Sequence, residues 1–396
     1  MTRFRRTKYV FVYFEDREFL DIGRLLRGEA VVAPLRRTLA ISVLTGKEHV
    51  ISRAELELLA KIPSDEWTQR DGEEAEALTT LARKGLVLSD AADDSLRELR
   101  RREASLASGQ WNIYAALFHF LTKWKDVDVD LPVDEPPGLD VLEAEATAAF
   151  VQEHGLPPPH FHTVTSSRVT ALPLTERTGG IWETLARRQT VRTFSPAPLS
   201  LQELSLVLQY SFGCRGYSRV SGDVVLLRKT SPSGGALHPT EVYPLIRQVE
   251  DVEPGLYHYN VERHELELLS ALTPDEGAGV AFELASGQPF VRDAPAIFLL
   301  TTRFYRNFWK YRRHRRAYAV LLMDAAHLTQ SFYLVCTELG LGAFVTAAVN
   351  GANIEGRLGL DPFAEGALAM CGCGRPAARQ ELDVPFLPYV PRETVI

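Results

Sequence analysis

The sequence predicts an α+β chain, and three observations lead there. Short runs rich in β-branched and aromatic residues, such as KYVFVYF (8–14) and APAIFLLTTRF (294–304), read as strands. Longer apolar patterns with helical spacing alternate with them, the longest being AYAVLLMDAAHLTQSFYLVCTELG (317–340). Two Ser-x-x-Glu signatures, Ser52 with Glu55 and Ser200 with Glu203, stand before apolar helical runs, where serine and glutamate cap each other's backbone donors.

In chain order, KYVFVYF and RTLAISVLTG (37–46) are strands, the second ending at Gly46. SRAELELLAKI (52–62) is a capped helix, EEAEALTTLARKG (73–85) a helix stopped by Gly85, and LVLSD (86–90) a strand. Two short helices followed by a strand resemble a winged helix-turn-helix; a generic α+β cap domain is the alternative. WNIYAALFHFLTKWK (111–125) carries aromatics at helical spacing, which predicts packing on the next domain. The acidic, proline-rich DVDVDLPVDEPPGLD and the later GLPPPHFH make 126–175 mainly a connector, with His160 and His162 in an exposed loop. Three regions follow: a winged-helix-like domain at 1–105, a helix and connector at 106–174, and a second domain at 175–396.

In that second domain TGGIWETLARRQ (178–189) and LSLQELSLVLQYSFG (199–213) are helices, and DVVLLRKT (223–230) is a strand. SPSGGALHPT (231–240) is a glycine-rich loop, EVYPLIRQV (241–249) a strand or a helix-to-strand passage, and GLYHYNVERHELELLS (255–270) a hairpin. The buried strand at 294–304 and the long helix stopped by Gly340 come next, then GALAMCGCG (366–374) as a last strand. No internal repeat is visible.

Composition narrows the function. The 396 residues carry a net charge of -7, which argues against a protein that coats nucleic acid. Four cysteines (Cys214, Cys336, Cys371, Cys373) are too few for a disulfide scaffold, and the C-x-C at 371–373 lacks a second ligand pair, so no metal is expected. The first apolar run breaks at Glu15, no cleavage site follows, and no apolar stretch is read as long enough to span a bilayer. The expected location is cytoplasmic, with no membrane and no nucleic-acid partner.

Four stretches carry chemistry. RRQTVRTF (187–194) spaces arginines around a small hydroxyl, which suits a phosphate. SPSGGALHP (231–239) lets the backbone approach a flat or anionic ligand closely, yet has neither the Walker nor the dinucleotide spacing. ELGLGAFV (338–345) closes the long helix with two glycines. RFYRNFWKYRRHRR (303–316) holds seven Lys and Arg residues among aromatics and no acid. Each alone is ordinary: a solvated helix end, a turn, a C-cap, a basic loop. Asp324 and His327 share a face of the long helix, as a buried polar pair or with Asp324 on an arginine.

Taken in order over about 200 residues, RRQTVRTF, SPSGGALHPTEVYP, GLYHYNVERHELE, FWKYR and the helix into GLGAFV resemble the FMN-dependent nitroreductase superfamily. The match is to its SagB/ThcOx-type branch, the azoline oxidases of ribosomal peptide maturation, and covers roughly 175–380. The resemblance implies a nitroreductase-like domain, a central antiparallel-type sheet flanked by helices, with FMN as cofactor and a homodimer. It implies that Arg188, Thr190 and Arg192 hold the FMN phosphate and ribityl chain. Pro232, Ser233, Gly234 and Gly235 would lie against the isoalloxazine, often from the partner subunit. Leu341 and Gly342 would meet the ring through backbone, and Arg375 or Arg379 would return to the phosphate. Thr190 replaces the commoner serine, and His238 sits where many members have tyrosine.

Azoline oxidases carry a Lys-Tyr pair just before the long helix, here Lys310 and Tyr311. The implied reaction removes a proton and a hydride from a thiazoline or oxazoline to give the azole, with Lys310 as base and Tyr311 orienting substrate. A lysine is a poor base at neutral pH while its pKa stays near 10.4. Loss of solvent beside the flavin, with repulsion from Arg306, Arg312 and Arg313, is the expected means of lowering it. A precursor peptide is the implied substrate and a cyclodehydratase a further partner. The alternatives are a general NAD(P)H-dependent nitroreductase or flavin reductase, and a non-catalytic peptide-binding scaffold.

Overall fold

The computed structural model describes residues 2–20, 32–129, 177–221 and 224–380, with isolated positions between 151 and 172. His160, His162 and most of the connector lie outside the described residues.

The chain begins with β1 (Thr2–Arg6), β2 (Val10–Leu20), β3 (Val32–Ser42) and β4 (Lys47–Ile51). Then come α1 (Arg53–Lys61), β5 (Thr68–Arg70), α2 (Gly72–Arg83), β6 (Val87–Ser89), α3 (Asp94–Ser108) and α4 (Ile113–Thr122). β1 is the centre of a sheet ordered β5-β1-β6, and β2 is an edge of a second sheet, β2-β3-β4. At α1 the Ser52 hydroxyl accepts from Glu55 N and the Glu55 carboxylate accepts from Ser52 N, the expected capping box.

The later half contains α5 (Gly180–Arg187), α6 (Leu201–Ser211), β7 (Cys214–Ser221), β8 (Val224–Lys229), β9 (Thr240–Ile246), β10 (Gly255–Asn260) and β11 (Glu265–Ala271). It continues with α7 (Pro274–Leu284), β12 (Ala296–Arg303), α8 (Phe304–Tyr311), α9 (Ala317–Glu338), β13 (Gly342–Thr346), α10 (Gly351–Leu358) and β14 (Glu365–Gly374). Six strands form one sheet, β11-β10-β9-β12-β14-β13, and every neighbouring pair is antiparallel. Alternation along β12 divides the core. Phe298 and Leu300 pack with Leu204 and Leu208 of α6 and with Leu328 and Phe332 of α9. Ile297 and Leu299 pack with Val280 and Leu284 of α7 and Ile354 of α10. The sheet is therefore covered by helices on both faces.

Trp111 joins the two halves. Its ring centroid lies 4.5 Å from Phe304 and 5.0 Å from Phe308, and its indole N–H donates to the Phe363 carbonyl at 3.1 Å. One buried cluster runs from Phe4 through Trp111 to Phe363 with Phe120 packed against it, but Tyr114, Phe118 and Trp124 of the same stripe are exposed, so the core reading of 111–125 holds only in part.

Elements β1, β4, β5, α3, β7, α7, α8 and α10 are absent from the sequence reading, and β13 stands where it places the turn ending the long helix. The membrane expectation also needs correcting: by length and composition α9, at mean hydropathy 1.3, would suit a membrane-crossing helix. Here Leu321, Leu328, Phe332 and Cys336 of α9 are buried in the cores just described.

Candidate functional site

The glycine loop is tied to the long helix by one carboxylate. Asp324, 3% exposed, accepts from the Ser233 hydroxyl at 2.6 Å and from Gly234 N–H at 3.0 Å. Ser233 Oγ in turn accepts from His238 N–H at 2.9 Å, closing the loop on itself. Burial pushes the Asp324 carboxyl up, and the Ser233 and Gly234 donors oppose that rise. The sequence alternatives for Asp324, a pair with His327 or with an arginine, are replaced by this anchor. Burial, with Lys229 nearby, lowers His238 to about 4, and its Nε2 faces the Leu227 carbonyl at 3.1 Å.

Both glycines are required by close approach. A Cβ on Gly234 would strike Val320 of α9, and one on Gly235 would fall 2.7 Å from Lys310 Nζ. Gly235 also has φ +66°, which a side chain disfavours. The Gly234–Gly235 backbone therefore lies against α9 on one side and the Lys310–Tyr311 pair on the other. The two motifs, 75 residues apart in the chain, meet.

Lys310, in the last turn of α8, lies on the wall of an open cleft of about 750 Å³, shared with Gly235, Leu237, Arg306, Trp309 and the β7–β8 hairpin. Arg306 Nε donates to the Leu237 carbonyl at 2.6 Å, pinning α8 to the end of the glycine loop. Lys310 itself is exposed. The desolvation expected of it is not provided by the described residues.

The arginine motif forms a second group at the start of β13. Val191 N–H donates to the Ala343 carbonyl at 2.8 Å, and a Cβ on Gly342 would lie 2.5 Å from Val191. Thr190 and Tyr333 hydroxyls are 3.2 Å apart. The Arg188 guanidinium lies 5.4 Å over the Tyr333 ring and that of Arg192 5.5 Å over Phe290. Among the described residues neither has a carboxylate partner. Leu341 is buried directly before Gly342. Two uncommitted guanidiniums, a hydroxyl and a strand without a Cβ make a donor set that fits a phosphate-bearing, flat cofactor.

The late arginines divide. Arg375 Nη2 reaches both oxygens of Glu203, the α6 capping carboxylate, at 3.0 Å each, so it serves a helix start. Arg379 is exposed, beside Gln380, whose side chain bonds the Thr193 backbone. The two groups also divide along α9. Tyr333 lies nine residues beyond Asp324, about 13 Å of helix. The chain assembles each group separately. Of the hairpin wall, β8 matches the strand expected at 223–230 from its apolar run VVLL, whereas β7 carries no comparable signal.

The Nitroreductase family model matches residues 185–375, which contain both groups. The "Trifolitoxin-processing protein TfxB" of Rhizobium leguminosarum bv. trifolii is 34% identical over 177 residues, 44% of this chain and 47% of that protein. The chain thus spans about half the length of that curated relative. "Putative nitroreductase MJ1384" of Methanocaldococcus jannaschii is 33% identical over 170 residues, 42% of this chain and 77% of that protein. A chain of the solved E. coli "Microcin synthetase McbBCD complex with truncated pro-MccB17 bound" is 18% identical at a TM-score of 0.47, covering 69% of this chain and 94% of that one.

Proposed function

The chain belongs to the nitroreductase family, and from that premise we propose that it is an FMN-dependent oxidoreductase of ribosomal peptide maturation. Its reaction is the oxidation of a thiazoline or oxazoline in a precursor peptide to the thiazole or oxazole, as in SagB/ThcOx-type dehydrogenases. The observation that carries this reading is Lys310 Nζ lying against Gly235 in the glycine loop, on the wall of a cleft. The likeness to a trifolitoxin-processing protein supports the peptide substrate.

Arg188, Thr190, Arg192, Leu341 and Gly342 would hold FMN, the arginines on its phosphate and Gly342 at its ring. When bound, FMN supplies the hydride acceptor that the oxidation needs. Lys310 Nζ takes the proton from the ring α-carbon, and Tyr311, whose hydroxyl lies near Gly234, orients the azoline. Pro232, Ser233, Gly234 and Gly235 would complete the site of a second copy in a homodimer. The separation of the two groups along α9 supports that exchange, and the partner's surface would supply the solvent exclusion that Lys310 lacks alone. The winged-helix-like N-terminal region would bind the leader, which adds a strand beside Tyr9–Phe14. β2 being an edge strand with Phe14 75% exposed supports this.

Turnover of an azoline-bearing peptide tests the proposal. Lys310→Met should lower the rate about 100-fold or more while FMN stays bound. A leaderless peptide should be turned over more slowly than one with its leader. An unchanged rate in Lys310→Met, with rapid use of NAD(P)H, would instead mark a general flavin reductase. Equal rates on the two peptides would remove the leader site.

A further inference from the structure

The cleft beside Lys310 has a composition that the reaction itself does not explain. Its body is apolar: Val220, Val225 and Leu226 from the β7–β8 hairpin face Tyr305 and Trp309 of α8. Val220 is 61% exposed and Trp309 44%, large areas to leave in water on a wall. Among the described residues the lining also holds Arg306, Lys310 and Arg312, and no acid. The nearby Arg303 is already paired, 2.6 Å from Glu241, whereas among the described residues Arg306 has a carbonyl as its hydrogen-bond acceptor and no carboxylate. The chain turns out of α8 at Arg312 and Arg313 with φ 20° and 47°. Such backbone is costly for residues with a side chain and is tolerated mostly at functional sites.

We propose that this cleft binds a peptide segment carrying an apolar side chain next to a carboxylate, so that the protein selects substrates hydrophobic and acidic beside the reacting ring. The inference rests on the peptide-maturation reading and deepens it. A volume of about 750 Å³ accommodates a few side chains. The hairpin and Trp309 remove an aliphatic or aromatic group from water, and the cations meet a carboxylate where the apolar wall keeps the local dielectric low. The charge pattern determines which peptide: a basic neighbour would face three like charges.

The test uses the full chain loaded with FMN and three fluorescein-labelled peptides: Gly-Leu-Phe-Asp-Glu-Gly, Gly-Leu-Phe-Lys-Lys-Gly and Gly-Ser-Ser-Asp-Glu-Gly. Fluorescence anisotropy should show the first binding about tenfold or more tightly than either of the others, with the margin over the lysine peptide shrinking as salt rises. Arg312→Glu should abolish the preference for acid over lysine, and Leu226→Asp should weaken the first peptide about tenfold. Both variants should keep the flavin absorbance and Tm of the wild type, which separates lost binding from lost folding. Equal affinities for the three peptides, or variants with unchanged preference, would overturn the inference. So would binding to FMN-free protein that vanishes on FMN loading, since the cleft would then be the cofactor's. Intact preference without azoline turnover would fail the reaction reading and leave this binding site standing.

Discussion

Gly342 is the residue on which the proposed cofactor site depends most narrowly. Its missing Cβ leaves room for Val191, and Val191 carries Thr190 and Arg192 on either side. Gly342→Ala should push the 188–192 segment away from β13. FMN affinity should fall about tenfold or more, read as quenching of flavin fluorescence on titration; an unchanged Kd would detach the arginine motif from the cofactor. This juxtaposition was legible only through motif order, because nothing in RRQTVRTF or GLGAFV names the other. Asp324 shows the opposite limit. Its helical position was readable, yet its partners lie 90 and 91 residues away in the loop. Spacing within a helix identifies a face and not what that face will meet.

At the scale of elements, capped helices and apolar strands were the most legible, because their signals are local. Ser200 and Glu203 cap α6 as the sequence suggests, and β10 and β11 pair as the predicted hairpin. β7 and α8 failed for a physical reason: β7 (CRGYSRVS) has few apolar residues, and the basic side chains of α8 mask its single buried stripe of Phe304, Asn307 and Phe308. The sheet carries a pH-dependent tie. His258 of β10 lies between Glu241 of β9 at 3.6 Å and Glu267 of β11 at 2.7 Å. The Glu241 carboxylate first, then Glu267, raises His258 from 6.5 to about 9, against the lowering by burial. The folded state thus holds this proton more tightly than the unfolded chain. The stabilisation is complete below about pH 6.5 and is lost as pH rises through about 9. Thermal unfolding across that window should show Tm falling with pH, and His258→Gln should flatten the slope; an equal slope in both proteins would refute the tie.

At the scale of the molecule, the fold leaves apolar surface that one chain does not cover. Ile181, Trp182 and Leu185 on α5 are each about half exposed, as are Leu322 and Met323 on α9. Both helices also carry or adjoin the candidate site, so a second copy seated there would cover apolar area and complete that site. Sedimentation equilibrium should therefore give twice the 44.2 kDa chain mass at micromolar concentration, and a monomer would contradict the shared site. Composition alone could not reveal this, since exposure is a property of packing.

The most direct measurement is anaerobic mixing of the purified protein with an azoline peptide while its visible absorbance is followed. The wild type should arrive yellow and bleach, and Lys310→Met should arrive equally yellow and bleach about 100-fold more slowly or not at all. A colourless protein that FMN does not restore, or a variant that bleaches as fast as the wild type, would contradict the account.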